Sequence, residues 1–267
     1  MIYFVATPIG NLKDITLRAL ETLRAADVIF CEDTRHTVKL LNAYEIKKPL
    51  YSCHKFNETE AAEKILSFSR EGKTVAVVSD AGTPVVSDPG NNVCKILREA
   101  GAPYTLIPGA CAVVAALVLS ALPADRFAFI GFLPEKKGDR TALLEKYKDL
   151  DITLAFHSAP QDVDRDIASL FSAFGERRAV AVREISKIHE ESIPFYLSEG
   201  LSGEKRGEYV LVVEGAGERE NPLNALPERE HIRHYMDMGL DKKEALKRAA
   251  KDRGVSKSAL YPFSLDL

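Results

Sequence analysis

The chain has 267 residues, of which 46% are hydrophobic and 28% charged, and its formal net charge is −3. That length suits two domains of about 100 to 150 residues each and allows a cleft between lobes. The mild negative charge excludes a protein that coats nucleic acid non-specifically, so any contact of that kind has to be local. Cys31, Cys53, Cys94 and Cys111 stand singly, without CxxC spacing or a matching histidine pair. This fits reduced thiols and excludes a disulfide framework or a zinc site, so no metal is expected. The start, MIYFVATPIGN, lacks a basic n-region and reaches a Pro and a Gly by residue 10, unlike a signal peptide. The longest apolar run, 110–122, falls short of the roughly 20 residues that span a bilayer. A cytoplasmic protein without a membrane anchor is expected.

In chain order, short β-branched, aromatic or apolar runs occur at 2–7, 27–32, 49–53, 74–79 and 103–108. Helical patterns separate them: Leu17, Leu20 and Leu23 share a face, and so do Val38 and Leu41. Asn57 to Glu60 reads as a capping box ahead of Ile65, Leu66 and Phe68, and Asp88-Pro89-Gly90 reads as an N-cap with Pro in the first turn of a helix running to Arg98. Strands alternating with helices predict βα units and a mainly parallel sheet. The polar stretch FLPEKKGDR, 132–140, breaks this texture and places a boundary within 120–134. An N-terminal α/β domain over 1–122 and a smaller α/β domain over 123–217 follow, the second with strands at 151–156, 178–185 and 209–215. Residues 218–267 form a linker and a helical module, in which 229–257 carries nine Lys/Arg against five Asp/Glu. Asp241 and Ser256 mark helix starts there. The module is either a solvated cap or a nucleic-acid contact surface.

Ligands of open parallel sheets sit beyond the carboxyl ends of the strands. Four unusual loops fall there: TPIGN (7–11), CEDTRH (31–36), SDAGTPVVSDPG (79–90) and IPGACA (107–112). A Walker A cradle, a G-x-G-x-x-G fingerprint, an H-E-x-x-H pair and a G-x-S-x-G elbow are all absent from the sequence. What remains is a ligand with little phosphate but with amide, ribose and aromatic parts, held by the backbone of small residues.

The strings TPIGNLKDITLRAL, CEDTRHTVKLL, SDAGTPVVSDPG, PGACAVVAALVLSALPADRFAFIGFLP and GEYVLVVEG, in register from about residue 3 to 215, together with the tail GVSKSALY, resemble the tetrapyrrole methylase superfamily and, within it, the small-subunit ribosomal RNA methyltransferase I family. The resemblance implies a two-lobed α/β fold: an N-terminal, mainly parallel sheet flanked by helices, a smaller mixed lobe and a short helical extension. It implies a homodimer, S-adenosylmethionine in the cleft between the lobes, and methylation of the ribose 2′-hydroxyl of a cytidine in the decoding region of 16S ribosomal RNA, within the small ribosomal subunit. On the matching positions, Ile9 and Gly10 close beneath the cofactor, and Asp80, Gly82, Thr83, Pro84, Val86 and Ser87 wrap its methionine and ribose. Pro108, Gly109, Ala110, Cys111 and Ala112 supply backbone contacts, and Phe156, His157 and Ser158 line the adenosine side. One string departs from the family, whose Tyr-Glu-Ser-Pro-His-Arg is here Phe156 to Gln161, without the carboxylate and the arginine, although Arg165 lies one turn on.

A ribose hydroxyl is a weak acid, and a positioned carboxylate or histidine that takes its proton helps by about 10²- to 10⁴-fold. Asp33, Asp80 and Glu184 are the catalytic candidates, with Glu32, His36 and His54 nearby in the sequence pattern. Asp33 and Arg35 form either a structural ion pair or, with Asp80, a substrate-side cluster. For RNA phosphates the expected cations are Arg35, Lys55, Lys187, Lys247, Arg248 and Lys257, with Lys136, Lys137 and Arg140 also available, and Tyr44, Phe56 and Tyr261 are candidates to stack on a base. Two other readings stand beside this one: a methyltransferase acting on a tetrapyrrole or corrin precursor, and a non-catalytic S-adenosylmethionine-binding protein.

Overall fold

A computed structural model describes residues 1–217, 222–265 and 267, which divide into two compact units, Met1–Ala216 and Gly217–Leu267. In the first unit, β1 (Ile2–Val5), β2 (Val28–Cys31), β3 (Leu50–Ser52), β4 (Val75–Val78) and β5 (Tyr104–Ile107) form a parallel sheet in the order β3-β2-β4-β1-β5. Every residue of β2 and β4 is buried, which is why these interior strands read as unbroken apolar runs. Their side chains alternate between two cores. Phe4, Phe30 and Val77 pack with Ile65 of α3 (Glu58–Arg70) and Leu97 of α4 (Asn91–Glu99). Val5, Ile29 and Val78 pack with Leu23 of α1 (Leu17–Ala25) and Leu41 of α2 (Thr34–Ala43). Truncating one such side chain, as in Ile65→Ala, costs about 2–5 kcal/mol through lost burial and a residual cavity.

The second sheet has the order β6-β7-β10-β8-β9, from β6 (Phe127–Phe132), β7 (Thr153–Ser158), β8 (Arg178–Arg183), β9 (Glu191–Tyr196) and β10 (Tyr209–Val213). Only the β6–β7 pair is parallel. On one face Leu154 and Phe156 pack with Leu144 of α6 (Lys137–Glu145) and Leu170 of α7 (Val163–Phe174). The other face takes α5 (Ala112–Ser120), whose Val113, Ala116 and Leu117 pack on Val180, Val182 and Val210. Residues 112–120, placed by sequence with the N-terminal lobe, therefore build the core of the second sheet. The helix is apolar on every side, and Val114 and Val118 lie exposed.

Two expected helix starts differ from what is found. Asn57 precedes α3 but makes no capping bond. Its amide is used by the loop before it: Oδ1 accepts from the His54 N–H at 2.7 Å and Nδ2 donates to the Ser52 carbonyl at 3.2 Å. Asp88 is not the N-cap of α4 either, because Gly90 holds that place with φ of 125°.

The second unit holds α8 (Glu228–Asp237), α9 (Lys242–Asp252) and α10 (Lys257–Leu260). Asp241 and Ser256 cap the last two as expected, accepting from the Glu244 and Ala259 amides. Ile232, Tyr235, Leu246 and Leu260 form its core. Buried His231 takes a hydrogen bond on Nδ1 from Arg253 and sets Nε2 3.2 Å from the Asp252 carboxylate, and burial lowers its pKa. Of the expected linker, residues 218–221 lie outside the described residues. Among the described residues no helix is long and apolar enough to cross a membrane.

Candidate active site

The loops that follow β1, β4 and β5 are stitched together at the carboxyl edge of the first sheet. The Thr7 N–H donates to the Gly82 carbonyl at 2.9 Å, the Gly82 N–H returns a bond to Thr7 at 3.1 Å, and Thr83 Oγ1 donates to the Ala110 carbonyl at 3.1 Å. Gly82 has φ of +80°, and a Cβ on it would stand 3.1 Å from Ile9 Cγ2, so both backbone and space call for glycine. Beyond it the chain turns so tightly that Val85 (φ 79°) and Ser87 (φ 66°) take the left-handed region. Each costs about 1–3 kcal/mol, a strain that persists only where the surroundings enforce it and that clusters at functional sites.

This turn is one wall of a cleft of about 450 Å³, within the roughly 300–1,000 Å³ usual for small-molecule sites. Ile9, Ala81 to Thr83, Val86 to Asp88 and Cys111 to Val113 line it from the first side, and Phe132, His157 to Pro160, Ile185 and Glu208 to Val210 from the second sheet. His157 stacks on Phe132, with centroids 5.2 Å apart and planes at 24°, and meets the edge of Phe129. Burial pushes its pKa down, so the imidazole is neutral at pH 7 and forms one flat apolar panel with Phe132. The lobes meet at two further points. The Lys187 stem lies over Gly10, and Ser87 Oγ lies 3.3 Å from where a Cβ of Gly131 would be.

Residues 1–199 match the sequence pattern of the family Tetrapyrrole (Corrin/Porphyrin) Methylases. The ribosomal RNA small subunit methyltransferase I of Halalkalibacterium halodurans is 40% identical, the match covering 97% of this chain and 93% of that protein, and its Bacillus subtilis counterpart is 40% identical over 98% and 92%. The chain belongs to the ribosomal RNA small subunit methyltransferase I family. Uroporphyrin-III C-methyl transferase from Thermus thermophilus, solved with S-adenyl homocysteine, shares the fold, with a TM-score of 0.56 and 21% identity over 79% of this chain and 96% of that one.

In this methyltransferase Ile9, Gly82, Thr83, Val86, Ser87, Cys111, Ala112, His157 and Ser158 are brought together on the cleft wall. Pro84, Pro108, Gly109 and Ala110 are not among the lining residues: Pro84 is buried, Pro108 is exposed, Gly109 lies against Ala6, and Ala110 receives Thr83. Gly10 lies under Lys187. Phe156 does not line the cleft but is fully buried in the core, because side chains alternate along a strand and His157 takes the cleft face. Ser158 turns its hydroxyl to Asp166 Oδ2 at 2.7 Å, and Asp166 pairs with Arg165 at 2.9 Å. Behind the divergent string, a carboxylate and an arginine thus hold the wall from α7.

The proposed catalytic carboxylates are engaged elsewhere. Asp33 caps α2 through the Arg35 amide and takes the Arg35 guanidinium at 2.6 Å, which holds its carboxyl down at about 2. Asp80 is exposed and stands off the cleft, accepting from the Asp33 N–H at 3.0 Å with His36 Nδ1 3.6 Å away. Glu184 receives Lys187 Nζ at 2.8 Å and the Glu208 N–H at 3.1 Å, and the Lys187 bond lowers its pKa. Lys187 also pairs with Glu208 at 3.1 Å, so it braces the cleft and is not a free phosphate contact. Arg140 is buried, donating to Ser169 and to the Pro134 and Glu135 carbonyls. Tyr44 is half-buried and sends its hydroxyl to the Leu12 carbonyl.

Lys55 and Phe56 lie exposed on the loop after β3, Phe56 at 91%. That loop is built, with the Phe56 N–H donating to His54 Nδ1 at 3.3 Å and Asn57 clamping it from behind. In the second unit Lys247 lies 3.6 Å from Glu244, Arg248 lies over the Tyr235 ring at 5.5 Å, and Lys257 and Tyr261 are exposed. Sequence reasoning missed Asp88, Phe132, Glu208 and Tyr209. The last two stand at the head of the GEYVLVVEG string, where a charge directly before a wholly buried strand was the available signal. Among the described residues no His/Cys/Asp/Glu group could hold a metal ion.

Proposed function

We propose that the cleft binds S-adenosylmethionine and directs its methyl group to the ribose 2′-hydroxyl of a cytidine in the decoding region of 16S ribosomal RNA, in the small ribosomal subunit. The observation that carries this reading is the pairing, in one cleft, of a flat neutral panel, His157 on Phe132, with a strained turn of small residues opposite. The panel fits an adenine, the small residues Ala81, Ala112 and Ala159 leave room, and the backbone of the turn offers hydrogen bonds to amine, carboxylate and ribose. When bound, the sulfonium supplies an electrophilic methyl group. The chain's own part is to hold donor and acceptor in line and exclude bulk water, from which most of the acceleration of such a displacement can come.

The acceptor RNA approaches along the carboxyl edge of the first sheet. Because β4 neighbours β2 and β2 neighbours β3, the loops bearing Arg35 and then Lys55 and Phe56 succeed one another outward from the cleft. A projecting aromatic beside a cation suits an unstacked base and its phosphate. The basic stretch of the second unit adds charge for the same partner. The outer face of α5, with Val114 and Val118, and Leu106 on edge strand β5, both exposed, suits burial against a second copy, and the protein works as a cytoplasmic homodimer. The test is methyl incorporation from labelled S-adenosylmethionine into small ribosomal subunits lacking the modification, with nuclease mapping. Label on one decoding-region ribose is expected; label on a base, or only on a tetrapyrrole acceptor, overturns the reading.

A further inference from the structure

We propose that Asp88 is the group that takes the proton from the acceptor hydroxyl, an assignment that rests on the ribose reading above. Of the carboxylates and histidines near the cleft, Glu32 is not among the residues that line it, and the positions of the others separate them. Asp33 is neutralised by Arg35, Asp80 and His36 face each other outside the cleft, and Glu184 is held by Lys187. Glu208 lines the cleft but is paired with Lys187. His157 lies flat against Phe132, so a second proton would charge a ring whose burial disfavours charge. Asp88 lines the cleft and has no cationic partner among the described residues.

The local structure places it there by force. Gly90 takes over the helix start, Val85 and Ser87 bend the chain through left-handed geometry, and Asp88, which does not cap the helix, lies on the cleft wall. Around it stand Ser79, whose hydroxyl donates to the Ala81 and Gly82 carbonyls, the Asp80 and Glu32 carboxylates, and, on the opposite wall, His157, Tyr209 and Glu208. Half-burial, with Asp80 adding repulsion, lifts the Asp88 carboxyl to about 6. It is therefore mostly ionised at pH 7 and still basic enough to receive a proton, the compromise a general base requires. In the step itself the 2′-oxygen forms its bond to the methyl carbon. The carbon–sulfur bond breaks, leaving its electron pair on sulfur, and the hydroxyl proton passes to Asp88, which later returns it to water.

The test uses the full chain with Asp88→Asn and Asp88→Glu. Calorimetric titration with S-adenosylmethionine should give both variants the parent affinity. Single-turnover transfer to small ribosomal subunits should fall by about 10²- to 10⁴-fold in Asp88→Asn and recover in part in Asp88→Glu. The parent rate should rise with pH and level off above about 6, whereas the Asn variant should be flat, and a ¹³C-labelled carboxyl resonance lost in that variant should titrate at the same pH. Full transfer by Asp88→Asn, or loss of cofactor binding in step with transfer, overturns the assignment. The ribose reading fails separately, if the parent enzyme places its label on a base.

Discussion

The two walls of the cleft are made in opposite ways. The first sheet contributes loops, and what these offer is mostly backbone: a glycine at φ +80°, two residues held left-handed, and carbonyls and amides bonded from loop to loop. The second sheet contributes regular strands, and what they offer is side chains: His157 from β7, Phe132 from the end of β6, Tyr209 from the start of β10. One wall recognises by conformation and the other by chemistry. Substitutions should therefore fail for different reasons on the two sides.

The largest effect is expected on the first wall. Gly82→Val forces a β-branched residue into left-handed backbone, against Ile9, and should destabilise the fold by about 1–3 kcal/mol. Thermal unfolding and calorimetry should show a lower midpoint together with loss of S-adenosylmethionine binding. On the second wall His157→Ala should lower the unfolding midpoint less than Gly82→Val and remove a stacking contact worth about 0.5–1.5 kcal/mol, a 3- to 10-fold weaker cofactor affinity. Equal loss of stability in both variants would erase the contrast.

A third effect concerns pH. Asp88 has a folded-state pKa of about 6, raised by burial above its ordinary 3.8, so between those values the folded chain holds more protons and stability falls as pH rises. The penalty is complete above pH 6 and absent below about pH 4. Asp88→Asn should therefore raise the unfolding midpoint at pH 8 and leave it unchanged at pH 4. A stabilising substitution that removes activity is the signature expected of a group kept for function.

The sequence makes the strands of the first sheet visible because β2 and β4 are buried on both faces. The loops that matter are visible because glycine, proline and charge gather where backbone must turn. Parity is not visible: Phe156 and His157 are neighbours in a strand, and a shift of one residue exchanges core for cleft. Pairing is only half visible. The Asp33–Arg35 ion pair is one of two readings that the sequence offers, whereas Glu184 looks like an open functional group until the turn that joins it to Lys187 is seen. Asp88 was hidden because Asp-Pro-Gly is also good helix-start chemistry, whereas Asp88 does not cap the helix and lies on the cleft wall.

Gly10 and Gly131 come from different lobes, and each receives a side chain from the lobe opposite, Lys187 in one case and Ser87 in the other. The missing Cβ atoms leave room for these side chains, so a side chain at Gly10 would press on the Lys187 stem and one at Gly131 on Ser87. Contacts between lobes that exist without a ligand leave less chain for binding to order and less entropy to lose.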